Sequence, residues 1–67
     1  MSETQTAFQT TVLREKAQLD DKRDGMISFF QTQTFEKLDE EDQDLLHRQM
    51  EAMTSYSYIL TERISKF

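Results

Sequence analysis

Gln49, Tyr56 and Arg63 recur every seven residues and so form one line down a helix. An amide, a phenol and a guanidinium in line can read a base edge, stack on a flat ring and pair with a phosphate. The same line could instead make interhelical hydrogen bonds that fix register, as polar seam residues often do. Lys16, Lys22 and Arg23 supply three further cations earlier in the chain. Lys16 and Arg23 stand on or beside an apolar stripe, where the plain reading is snorkelling: aliphatic stems on the core and charges in water. Chemistry of the catalytic kind finds few candidates. His47 is the single histidine and reads as a solvated surface residue, there is no cysteine, and one glycine cannot build a phosphate loop. Asp20 and Asp21 are neighbours and point about 100° apart on a helix, so they do not form a facing acid–base pair. The expectation is a binding protein without enzymatic activity and without a cofactor or metal.

The charge distribution narrows the partner. The net charge is −5, and Asp39, Glu40, Glu41, Asp42 and Asp44 account for all of the excess. Elsewhere eight acids balance eight bases, so an anionic ligand is admissible away from this segment. Extended contact with DNA needs a basic stripe, and none is present. The acidic run has a structural explanation: Asp39 is a good N-cap, and the acids after it suit the positive end of a helix dipole. It lacks the alternating spacing and the glycine of a calcium-binding loop.

These residues have to be positioned by helices. No proline and a single glycine leave little turn punctuation. Residues 1–6 are polar and expected to be flexible, and residues 7–67 form one helical-hairpin domain. Phe8, Val12, Leu19, Met26 and Phe30 share a face of a first helix over about 7–31, with Ile27 and Phe29 widening it and Gly25 weakening it by about 1 kcal/mol. Residues 31–37 read as a connection, with Phe35 and Leu38 folding back to plug the end of the bundle. A second helix over about 40–65 carries Leu46, Met50, Met53, Ser57, Leu60 and Ile64 in one stripe. Leu45, Ala52, Tyr56 and Ile59 form another beside it. One partner helix covers roughly 100°, so two stripes demand at least two partners. A 67-residue chain without disulfides or a metal site also needs oligomerisation to be stable. The fold expected is all-α: an antiparallel two-helix hairpin assembling into a homo-oligomeric helical bundle. No apolar stretch is long enough for a membrane and no signal peptide opens the chain, so a soluble intracellular protein with no membrane partner is expected.

Leu13-Arg14-Glu15-Lys16, Leu19-Asp20-Asp21-Lys22 and Phe29-Phe30 make up one part of a recognisable pattern. Phe35, Leu38, Leu46, Gln49, Met53, Tyr56, Leu60 and Arg63-Ile64 make up the rest. Over residues 12–64 the chain resembles the helical-hairpin domain of phage anti-CBASS and anti-Thoeris sponge proteins. The resemblance implies a homo-oligomer, often a hexamer. It also implies an anti-defence role in the cytoplasm of the bacterial host: capture, without cleavage, of a cyclic nucleotide second messenger or a cyclic ADP-ribose-type immune signal. Arg23 and Gly25 depart from the pattern, where an aliphatic residue and a helix former are expected. In such a site Tyr56 would stack, Arg63 and Lys16 would meet phosphates, Gln49 would read a base edge, and Lys22 and Arg23 would add charge. The competing readings are a small phage helical adaptor that binds and inhibits a host protein, and a dimeric RNA-binding hairpin.

Overall fold

The computed structural model describes residues 6–67. Of the expected flexible segment, residues 1–5 lie outside the described part. Thr6 does not belong with them, because it is the N-cap of the first helix. Its hydroxyl accepts a hydrogen bond from the Gln9 backbone N–H at 3.1 Å, and the Gln9 side chain accepts one from the Thr6 N–H at 3.2 Å. This reciprocal capping box satisfies two otherwise orphaned donors.

Among the described residues three helices follow: α1 (Ala7–Phe29), α2 (Gln33–Glu36) and α3 (Glu40–Ile64). The long helices α1 and α3 pack against each other, early residues of one beside late residues of the other. Val12, Leu19 and Leu60 form the buried seam, with Met53 and Ile64 packed against it. Leu60 is fully enclosed and Val12 is 2% exposed. Leu46 and Met50 continue the same stripe, partly buried. Leu45, Ala52, Tyr56 and Ile59, the adjacent stripe, are all exposed.

Residues 31–37 are more ordered than a plain connection. Thr32 serves two helices: its hydroxyl donates to the Phe29 carbonyl at 2.7 Å, closing α1, and accepts from the Phe35 N–H at 3.2 Å, opening α2. Phe35 is buried and its ring meets Phe29 edge-on at 5.9 Å and Phe30 at 4.9 Å. His47, though exposed, is not purely solvated. Its ring lies 4.7 Å from Phe30 and edge-on to Phe35 at 5.5 Å, so one side of it packs on the plug. Gln43 then ties the turn to α3, its amide donating to the carbonyls of Phe35 at 2.9 Å and Leu38 at 3.1 Å. Asp39 caps α3, its carboxylate accepting from the Asp42 N–H at 2.8 Å, and Glu40, Glu41 and Asp42 fill the first turn. No helix among the described residues is long and apolar enough to cross a membrane.

Candidate functional site

The hairpin presents its polar chemistry at two places. The first is midway along the seam, where Asp20 gathers three partners. Its carboxylate meets the Lys16 ammonium at 2.6 Å and the Arg23 guanidinium at 3.2 Å, and accepts from the Ser57 hydroxyl at 2.7 Å. Lys16 also donates to the Ser57 oxygen at 3.2 Å. The spacing explains the first two contacts, since residues three and four apart share a helix face. Ser57 arrives from α3 at the one small polar position of the inner stripe and is 5% exposed. Asp20 is held at about pKa 2 against an ordinary 3.8, chiefly by the Lys16 hydrogen bond, then by Ser57 and, more weakly, Arg23, while burial pushes the other way.

This corrects the expectation that Lys16 and Arg23 snorkel. Their charged ends are tied to Asp20 at the helix–helix seam, with 26% and 27% of the side chains exposed. The Nε of Arg23 is shielded and has no hydrogen-bond partner among the described residues. A phosphate approaching Lys16 or Arg23 has to compete with a carboxylate already in place.

The second place is the open end of the hairpin. Thr6, Phe8, Gln9, Arg63, Lys66 and Phe67 line a groove of about 370 Å³. Both ends of the described segment build it: the capping box fixes the start of α1, and the last turn of α3 brings up Arg63. The Arg63 guanidinium lies over the Phe8 ring, 5.4 Å from its centroid. Phe8 is 62% exposed, so this ring is offered to solvent rather than spent on the core. No acidic side chain is among the described lining residues. Two cations beside two aromatic rings make a surface that attracts phosphate and stacks flat rings.

The six residues read from the sequence as a ligand set are therefore dispersed. Lys16 and Arg23 meet at Asp20, Lys22 is exposed next to them, and Arg63 lines the groove. Gln49 and Tyr56 lie on the exposed outer stripe of α3, Gln49 with its amide 4.0 Å from the Met53 sulfur. The fourteen residues from Gln49 to Arg63 span about 21 Å of helix, so they do not converge within one copy. Reasoning from sequence missed Phe8, Lys66 and Phe67 as neighbours of Arg63. The available signal was an aromatic residue near each end of a sequence that folds as an antiparallel hairpin.

Among curated proteins and solved structures there is no match to the chain. The Sequestin family model does match, over residues 6–66, a span that takes in both long helices, the turn and most of the groove. It agrees with the resemblance to sequestering helical-hairpin proteins read from the sequence, and by this match the chain belongs to the Sequestin family.

Proposed function

We propose that this protein is a phage anti-defence protein that captures a cyclic nucleotide or cyclic ADP-ribose-type immune signal and holds it without cleaving it. It acts in the cytoplasm of the bacterial host as a homo-oligomer, and the bound signal is withheld from the effector it would activate. The family name denotes sequestration, which is the coarse form of this reading. The observation that carries the finer form is the open-end groove, with the Arg63 guanidinium over the Phe8 ring and Lys66 and Phe67 beside it.

The roles follow from the side chains. Arg63 offers a planar fork of donors to a phosphate, and Lys66 offers a point charge. Phe8 and Phe67 present exposed rings to a base. The described lining residues comprise cations, aromatic rings, a hydroxyl and an amide, a set suited to binding. Affinity and rigidity are what a sequestering protein requires, and a capped helix start with a packed seam supplies a rigid wall.

The test is a thermal-shift screen against cyclic di- and trinucleotides and cyclic ADP-ribose isomers. A ligand at a hundred times its dissociation constant stabilises the folded state by about 2.7 kcal/mol. Arg63→Ala should weaken binding at least about tenfold, as loss of a charge-assisted hydrogen bond costs about 1.5–3 kcal/mol. Unchanged affinity in Arg63→Ala removes the groove from the site. A panel without any shift overturns the signal-binding reading in favour of an adaptor docking on a host protein.

A further inference from the structure

The outer face of α3 has no partner within the hairpin. Leu45, Gln49, Ala52, Tyr56 and Ile59 are all exposed and follow the alternating four-and-three spacing of a coiled-coil seam. The same spacing runs back to Asp42 and on to Arg63 and Lys66. The buried stripe containing Leu46, Met53 and Leu60 is displaced by one residue, or about 100° of rotation. A second helix can therefore lie along the outer stripe while α1 keeps the inner one.

We propose that this stripe is covered by α3 of a second copy, running antiparallel about a two-fold axis near Thr54. Charge selects both the occupant and the direction. The start of α3 is acidic, with Glu40, Glu41 and Asp42 in its first turn, and its end is basic, with Arg63 in its last turn and Lys66 just beyond it. Antiparallel pairing sets Asp42 against Lys66 of the second copy and Arg48 beside its Glu62. Parallel pairing would set Asp42 against Asp42 and Arg63 against Arg63, with aligned helix dipoles. Size agrees: the antiparallel register places small Ala52 opposite bulky Tyr56, and Leu45 against the aliphatic stem of Arg63. Gln49 faces Ile59, the weakest layer of the pairing. The described part of the hairpin buries four apolar side chains, Val12, Leu19, Phe35 and Leu60, a small core for a chain of 67 residues. A two-fold contact uses the same patch on both copies, so one stripe completes both.

The pairing has a consequence for the groove. Lys66 is shared between Asp42 of the second copy and the ligand, leaving Arg63 as the cation committed to binding.

This inference rests on the self-association in the function proposed above and not on its ligand, so it is tested without one. Sedimentation of the full chain should give a dimer, or a larger even-numbered assembly of such pairs. Ile59→Asp should reduce it to a monomer that keeps its helical circular dichroism. The chain has no cysteine, so introduced thiols report geometry directly and serve even if Ile59→Asp unfolds. On mild oxidation Ser55→Cys, close to the axis, should cross-link to a covalent dimer, and Leu45→Cys should not. Cross-linking of Leu45→Cys but not Ser55→Cys means a parallel contact and overturns the proposal. A monomeric wild type also overturns it and leaves the stripe to a different chain.

Discussion

Asp20 is one carboxylate serving two cations and a hydroxyl from the opposite helix. Its folded-state pKa, about 2, lies below the ordinary 3.8. The stability it contributes is therefore complete above about pH 4 and is lost as the pH falls toward about 2. Acid titration followed by circular dichroism should show wild type losing stability across this window relative to Asp20→Asn, which lacks the titrating group. A constant difference between the two proteins from pH 5 to pH 2 would show that Asp20 is not held as described. Gly25 makes a second prediction at this scale. It lies in α1 with a negative φ, and a methyl group added there meets nothing within 4 Å. Gly25→Ala should stabilise the protein by about 1 kcal/mol, a rise of roughly 4–8 °C in Tm for a domain of this size. The spacing of Lys16, Asp20 and Arg23 allowed ion pairs on one helix face, but the apolar stripe beside them led to the snorkelling reading instead. The part played by Ser57 was not legible, because its meeting with Asp20 depends on how the two helices slide past each other.

Helix boundaries depend on a few side chains that close backbone groups. Thr32 ends α1 and starts α2, so Thr32→Ala should cost about 1 kcal/mol by analogy with other lost caps, measurable by urea denaturation. Leu60 is fully enclosed in the seam, and Leu60→Ala should cost about 2–5 kcal/mol, enough to unfold much of so small a protein. Substituting Tyr58, 71% exposed on the same helix, should cost far less. The inner stripe of α3 was readable because a seven-residue repeat has one geometric meaning on a helix. The short α2 was not, because four residues show no periodicity. Gln43 was missed for a similar reason: an amide five to eight residues from the carbonyls it closes leaves no local mark. The packing of His47 on Phe30 and Phe35 likewise follows only once the chain has reversed direction.

At the scale of the whole molecule, the hairpin is a rod of 51 × 16 × 14 Å with an aromatic plug at one end and a basic, aromatic groove at the other. The all-helical class and the packing of two long helices were legible from periodicity and the scarcity of turn residues. The groove was not, because its residues lie near opposite ends of the sequence. That arrangement makes a groove that exists only when the hairpin is closed, so in the proposed function capture of a ligand and stability of the open end are linked. The most direct test of sequestration is to mix excess protein with each signal in the panel, measure the free signal, then denature the protein and measure it again. The account predicts that one signal disappears from solution and returns on denaturation with its mass unchanged. A free concentration that never falls, or a signal that returns as a cleaved product, would contradict it.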